Sequence, residues 1–230
     1  MLPRDRVPVA LLAAFLVILA WSGWSPRDRL TWWLEVLPAL VGVGLLVATY
    51  RRFRFTTLAY VLAWLHAVIL LVGGHYTYVE VPIGIWIRDA LGLARNHYDR
   101  LGHVAQGFVP AILARELLLR ASPLGRAGRP MSRVWLFVTT LAFVVAISAV
   151  YELFEMGVAR ATGEAADAFL ALQGDPWDTQ TDMLLALVSA LAALLLLGRT
   201  HDRALRTVVD TSGRECGVQT GLDAQDRQVP

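Results

Sequence analysis

A chain of 230 residues, of which 56% are hydrophobic and only 17% charged, is too apolar for an ordinary soluble domain, which carries about 25% charged residues. This length also excludes a second large domain. A formal net charge of +2 does not indicate a nucleic-acid partner, because the excess arginine lies mostly in short connections between long apolar runs. The composition therefore predicts an all-α, polytopic membrane protein whose first partner is the lipid bilayer.

Six segments have the length and apolar character of membrane-spanning helices. In chain order they cover residues 7–24, 32–50, 57–73, 99–119, 134–158 and 178–197. The first follows a short basic N-terminus, as in a signal peptide, but it lacks a small-residue cleavage site, so we interpret it as a retained helix. Residues 83–93 are apolar but too short to span, which predicts a short interfacial or re-entrant helix between the third and fourth segments.

The chain ends and the arginine distribution predict how this bundle is oriented. Residues 1–200 form the predicted six-helix transmembrane domain, and residues 201–230 are polar without an apolar period, which predicts a disordered tail. Six spans place both termini on one side of the membrane. That side carries twelve arginines in its termini and loops, against six on the other side. The positive-inside rule therefore predicts cytoplasmic N- and C-termini.

Three predicted helices carry acidic or histidine residues at the ends that this orientation places outside. The fourth helix begins with an aspartate and a histidine four residues apart, which lie on one helix face. The fifth ends with two glutamates, the sixth begins with two aspartates, and a further histidine precedes the fourth. These residues are His97, Asp99, His103, Glu152, Glu155, Asp178 and Asp182. If the three helices are neighbours, the carboxylates and imidazoles converge on one outward-facing pocket.

Two kinds of chemistry fit this set. All seven residues are candidate ligands of a divalent metal ion, since carboxylates with one or two imidazoles suit a hard or borderline cation. Without a metal, paired carboxylates can share a proton and serve as general acid and base. The candidate catalytic residues are Asp99, His103, Glu152, Glu155 and Asp182. The spacings match no recognised metal motif, so the cofactor is unknown and a divalent metal is one possibility.

Every residue of the set except His97 also has a structural interpretation. Negative charge is stabilised at a helix N-terminus, which would account for Asp99, Asp178 and Asp182. His103 could be a hydrogen-bonded packing residue. A salt bridge to Arg100 or Arg160 would account for either glutamate of the fifth helix, because charges inside a membrane tend to pair.

Several of these stretches resemble a known family. The residues HYDRLGHVAQGF at 97–108, YELFE at 151–155 and GDPWDTQTDM at 174–183 resemble the YjdF-like bacterial inner-membrane proteins, as does the loop HYTYVEVP at 75–82. The resemblance extends from the start of this loop to the end of the sixth predicted helix. It implies a multi-pass protein of the bacterial inner membrane, and it implies no reaction, since that family has no assigned function.

A weaker likeness is to the VanZ-like membrane proteins, which are associated with glycopeptide resistance in the cell envelope. It consists of Asp99 and His103 on one helix and Asp182 on a later one. Ala186 and Ser189 stand where the VanZ-like pattern has an asparagine and a glycine. This likeness implies a role in the envelope.

The leading functional hypothesis is an inner-membrane protein whose outward-facing acidic and histidine pocket binds or processes an envelope or lipid-linked substrate. One alternative is a small proton- or cation-coupled transporter, in which the same carboxylates form a relay continued by His66, Gln106 and Arg115. Another is a non-catalytic membrane scaffold, which predicts that the polar residues pair off one to one. The sequence leaves open whether the protein is an enzyme.

Overall fold

The computed structural model describes residues 5–122, 131–163, 167–171 and 173–226. All regular structure within these residues is helical, as the composition predicts. The α-helices are α1 (Arg6–Gly23), α2 (Arg29–Thr49), α3 (Thr57–Tyr76), α4 (Pro82–Leu91), α5 (Tyr98–Arg120), α6 (Arg133–Thr162), α7 (Asp167–Leu170) and α8 (Asp178–Asp226). A short 3-10 helix, Tyr78–Glu80, lies between α3 and α4.

Local side chains determine where several helices begin. Asp28 accepts a hydrogen bond from the backbone N–H of Thr31 at 2.7 Å and caps α2. Thr56 and Ser132 cap α3 and α6 in the same way. Pro82 opens α4, where its missing N–H costs nothing. Each cap satisfies a backbone donor that hydrocarbon cannot solvate.

Within the described ranges, five helices have the length and hydropathy needed to cross a membrane: α1, α2, α3, α6 and the part of α8 up to Val208. The predicted fourth span corresponds to α5, which is 23 residues long but carries several charged and polar side chains. At 1.5 Å per residue α5 is ~35 Å long, enough to span. The prediction of six spans therefore depends on α5, and it stays a prediction.

Helix α5 lies at the centre of the bundle. It packs against α3, α6 and α8. Eleven of its residues are buried, from Tyr98 near its start to Glu116 near its end. Its polar residues are thus shielded from lipid by neighbouring helices, which explains how the least apolar long helix can lie among the most apolar ones.

The small residues of α8 let it approach α5 closely. A Cβ atom added at Gly107 would lie 2.0 Å from the carbonyl oxygen of Ala186 and 2.2 Å from the Oγ of Ser189. Ala190 and Ala193 continue the buried face of α8 toward its other end. Small residues at a crossing allow membrane helices to pack backbone against backbone. This crossing brings the first turns of α5 and α8 together.

Helix α8 extends well beyond the predicted end of the sixth span. The sequence predicts a disordered tail from residue 201, whereas the structure continues the helix to Asp226. The reason is a set of tertiary contacts where this extension begins. His201 is fully buried against Glu116, and Asp202 accepts a hydrogen bond from Arg115. Residues 227–230 of the predicted tail lie outside the described residues.

The short helix predicted at residues 83–93 is α4, which begins at Pro82 and ends at Leu91. It ends where Gly92 adopts a left-handed conformation, with a φ angle of 62°. Asn96, which follows α4, connects to the segment before α4, since the Asn96 side-chain amide donates to the carbonyl oxygens of Val79 and Val81. The position of α4 at the membrane surface stays a prediction.

Candidate functional site

Helices α5, α6 and α8 pack against one another in pairs. The condition on which the predicted pocket depended, that these three helices are neighbours, is therefore met. Their polar residues approach each other near the start of α5, near the start of α8 and about ten residues before the end of α6.

His103 is the centre of this cluster. Its Nε2 atom lies 3.6 Å from Oδ1 of Asp99 and 3.9 Å from Oδ2 of Asp182. Its Nδ1 atom lies 3.7 Å from Oε1 of Glu152 and 3.1 Å from Oε1 of Gln106. We call Asp99, His103, Glu152 and Asp182 the acidic cluster; all four are buried, the least exposed being Asp182 at 2%.

The acidic cluster is short of hydrogen-bond donors. One carboxylate oxygen of each acid, namely Oδ2 of Asp99, Oε1 of Glu152 and Oδ1 of Asp182, is buried without a hydrogen-bond partner in the part of the chain that the structure describes. A buried carboxylate without a donor or a cation is costly. These three carboxylates, each with one such oxygen, lie within 3.9 Å of the one imidazole, which indicates a place where a positively charged species would be stabilised.

The same geometry suits a metal ion. One potential ligand atom from each of Asp99, His103 and Asp182 can be chosen so that the three lie within 4.8 Å of one another. An ion bound by nitrogen and carboxylate oxygen at about 2.0–2.6 Å would fit between them after small side-chain movements. Glu152 faces the other ring nitrogen of His103 and lies outside this group of three.

Asp178 has a different environment, although it lies only one turn from Asp182. It accepts a hydrogen bond at 2.6 Å from Nη1 of Arg95, which also contacts Asp175 at 3.3 Å. Arg100 donates to Asp175 at 2.7 Å, so it does not neutralise a glutamate of α6 in the way the salt-bridge interpretation suggested. Asp178 is thus a salt-bridge partner, and its charge is offset without a metal.

Two predicted ligands lie at the periphery. His97 occupies the N-cap position of α5 without making a capping bond, and burial together with the charges of Arg100 and Arg95 lowers the pKa of its imidazole. Glu155 is half-buried one turn beyond Glu152 and interacts electrostatically with it and with His103. Neither belongs to the close ligand group formed among the described residues.

Glu35 on α2 extends the polar region, and the sequence analysis missed it. Its side chain is 3% exposed, has the Tyr78 hydroxyl as a hydrogen-bond partner, and interacts electrostatically with Asp99 and His103. A lone acidic residue in an otherwise apolar predicted span was the available signal. The ring of Tyr78 packs directly against Gly73 on its way to Glu35. A Cβ atom added at Gly73 would lie 2.6 Å from this ring.

Comparison with known proteins shows the family. Residues 7–203 match the family described as predicted membrane protein DUF2238. The chain belongs to this family. It is also 50% identical, over 190 residues, to the inner membrane protein YjdF of Escherichia coli (strain K12), an alignment that covers 83% of this chain and 88% of YjdF. The YjdF-like resemblance is confirmed, and with it a multi-pass membrane protein of unassigned function. No solved structure matches the chain.

Within this family member, a second polar network lies at the opposite end of α5. Glu116, which is fully buried, accepts hydrogen bonds from the backbone N–H and hydroxyl of Thr56 and from Arg120. Its Oε2 also lies 3.1 Å from Nε2 of His201. Arg115 contacts the other ring nitrogen of His201 at 2.9 Å. Every carboxylate oxygen of Glu116 has partners, so this network locks the helices together, in contrast to the acidic cluster.

Proposed function

We propose that the acidic cluster binds a divalent cation, and that with it this inner-membrane protein binds or processes a polar or lipid-linked envelope substrate at the outer face of the membrane. The observation that carries the proposal is the buried convergence of Asp99, His103 and Asp182, whose carboxylates each keep one oxygen without a donor in the described part of the chain.

The charge balance of the site favours a divalent cation. One imidazole faces three carboxylates, those of Asp99, Glu152 and Asp182. Arg95 lies 3.8 Å from Asp99, but its guanidinium group is already engaged by Asp178. Each unpaired charge in such an interior costs several kcal/mol, on the order of the effective penalty for burying an ion. An ion with two positive charges offsets this repulsion. Mixed oxygen and nitrogen donors suit Mn²⁺ or Zn²⁺ better than they suit Ca²⁺, which is bound by oxygen ligands alone.

The proposed roles follow from position. Asp99, His103 and Asp182 would hold the ion, which can polarise a phosphate oxygen or activate water. Glu152, beyond the imidazole, and Glu155, one turn further toward the end of α6, would serve as general base and acid. Asp178 would hold the buried guanidinium group of Arg95 beside the acidic cluster, 3.8 Å from Asp99.

The proposed topology has six spans, with α5 as the one in the middle of the bundle and both termini in the cytoplasm. Helix α4 would then lie on the outer membrane surface. Its exposed apolar residues are spaced along one helical face, as expected for contact with lipid. They are Ile83, Trp86, Ile87 and Leu91. In this arrangement the acidic cluster lies near the outer ends of α5 and α8.

Metal analysis of the purified protein tests the proposal. We expect protein purified without chelator to carry a roughly stoichiometric transition metal, measured by mass spectrometry of the elements. His103→Ala and Asp182→Asn should abolish this content, since each removes one of three close ligands. Asp202→Asn, which alters a half-exposed carboxylate paired with Arg115, is the matched control and should retain the metal. Wild-type protein that neither carries nor takes up Mn²⁺, Zn²⁺ or Mg²⁺ would refute the proposal.

A second candidate function, a cation or proton pathway, is favoured by one observation. The polar region continues from His103 to Glu35 on α2 and to His66 on α3, both of which interact with it electrostatically. Flux of protons or cations into proteoliposomes, abolished by Glu152→Gln, would support this function, and absence of flux would oppose it. The scaffold hypothesis is weakened by the acidic oxygens that have no one-to-one partners among the described residues.

A further inference from the structure

A groove between α1, α2 and α3 lies far from the acidic cluster along the bundle. It has a volume of about 420 Å³ and apolar walls. The wall residues include Leu11, Leu12, Phe15, Leu46, Tyr60 and Ala63. Two further lining residues, Val9 and Val47, are 46% and 53% exposed, so the groove opens sideways toward the region that the bilayer occupies.

One end of the groove is basic. Arg51 lines it, and Arg52 follows in the same exposed turn. Asp5, an acid close to this turn, is already engaged, since it lies 3.1 Å from Arg54 and accepts a hydrogen bond from the Tyr50 hydroxyl at 2.7 Å. Within the described ranges neither Arg51 nor Arg52 forms an ion pair, so both guanidinium groups are available to an external anion.

We propose that this groove binds an anionic phospholipid of the bilayer, with one acyl chain against α1, α2 and α3 and the phosphate at Arg51 and Arg52. Two features together select this ligand class. The apolar slot runs along α2 from Arg51 back to Val43, ~12 Å at the helical rise, which suits a hydrocarbon chain. The cationic mouth adds a preference for negative charge, which a zwitterionic lipid would satisfy less well.

The slot and the mouth can be changed separately. Ala48 lines the groove on its exposed rim, so Ala48→Phe would fill the slot without disturbing the buried core. Replacing Arg51 and Arg52 together by glutamine would remove the charge and leave the slot open. Arg29, an exposed arginine at the other end of α2, provides the matched control for loss of a surface charge.

Native mass spectrometry of the full chain with added phosphatidylglycerol or phosphatidylethanolamine of identical acyl chains tests the proposal. We expect wild type and Arg29→Gln to retain phosphatidylglycerol preferentially. The double variant Arg51→Gln, Arg52→Gln should lose about fivefold in affinity per arginine for phosphatidylglycerol alone. Ala48→Phe should lose both lipids. Equal retention of the two lipids by wild type, or phosphatidylglycerol binding that survives either change, would overturn the proposal.

Discussion

Asp178 and Asp182 illustrate how strongly a buried carboxylate depends on the partner that reaches it. They lie one turn apart in the first turns of α8, and both are nearly inaccessible to solvent. Arg95 donates a hydrogen bond to Asp178, whereas Asp182 faces His103 at 3.9 Å and keeps one oxygen without a donor among the described residues. The first is therefore a structural ion pair, and the second is held in an unfavourable environment that a bound cation would relieve.

Asparagine substitutions at these two positions should have opposite effects on the metal-free protein. Asp178→Asn removes the closest partner of the buried Arg95, so we expect it to destabilise the fold by about 3 kcal/mol. Asp182→Asn removes a buried negative charge whose Oδ1 has no donor among the described residues, so we expect a stabilisation of about 1–3 kcal/mol. Thermal unfolding in detergent with a chelator present measures both effects.

The exposed pair Arg88–Asp89 provides the control for this comparison. Asp89→Asn should change stability by less than about 1 kcal/mol, because an ion pair on the surface contributes little. If Asp182→Asn destabilised the chelated protein as much as Asp178→Asn does, the carboxylate of Asp182 would have a structural partner and the metal hypothesis would lose its main support.

Sequence reasoning could identify some of these residues and not others. Asp99 and His103 are four apart on one helix, so their common face follows from helical periodicity alone. Asp178 and Asp182 look equivalent in the sequence, and they differ only because Arg95 approaches from 83 residues earlier in the chain. Glu35 joins the site through the packing of α2 and the ring of Tyr78, neither of which leaves a pattern in the sequence.

At the level of the helices, local signals predicted the ends well where such signals exist. Helix α5 was predicted at residues 99–119 and begins at Tyr98 and ends at Arg120. Helix α6 was predicted at residues 134–158, and it begins one residue after the Ser132 cap. The end of α8 was missed, because its extension depends on the contact of His201 with Glu116, a residue 85 positions away.

The crossing of α5 and α8 depends on a single glycine. We expect Gly107→Ala to destabilise the protein by about 1–3 kcal/mol, because the new methyl group would overlap the backbone carbonyl of Ala186 and force the helices apart. Since this crossing sets the distance between His103 and Asp182, metal affinity should fall as well. Thermal unfolding and metal titration of the purified variant measure the two consequences.

Gly157→Ala is the matched control for this prediction. Gly157 lies within α6, and a Cβ atom added there meets nothing within 4 Å. The change should raise stability by about 0.5–1 kcal/mol through helix propensity. A Gly107→Ala variant that unfolds at the wild-type temperature would mean that α5 and α8 are less closely packed than their backbones indicate.

On the scale of the whole molecule, α5 connects two polar regions of opposite character. Near its start lies the acidic cluster, where some carboxylate oxygens have no donor among the residues that the structure describes, and near its end lies Glu116, whose oxygens are all engaged. The all-α membrane fold was predictable because long apolar runs have no other stable form in lipid. Which end of α5 faces outward follows only from the arginine distribution, so the functional proposal depends on topology.

Cysteine labelling determines that topology. In a Cys216→Ser background, we expect a membrane-impermeant maleimide applied to spheroplasts to modify Asp89→Cys on α4 and to leave Arg52→Cys unmodified until the membrane is opened. Both positions are exposed in the structure, so a difference in labelling reports sidedness and not burial. The physical basis is the excess of arginine in the segments that flank Arg52, which resist transfer across the inner membrane. The reverse pattern would place the acidic cluster at the cytoplasmic face and exclude an envelope substrate.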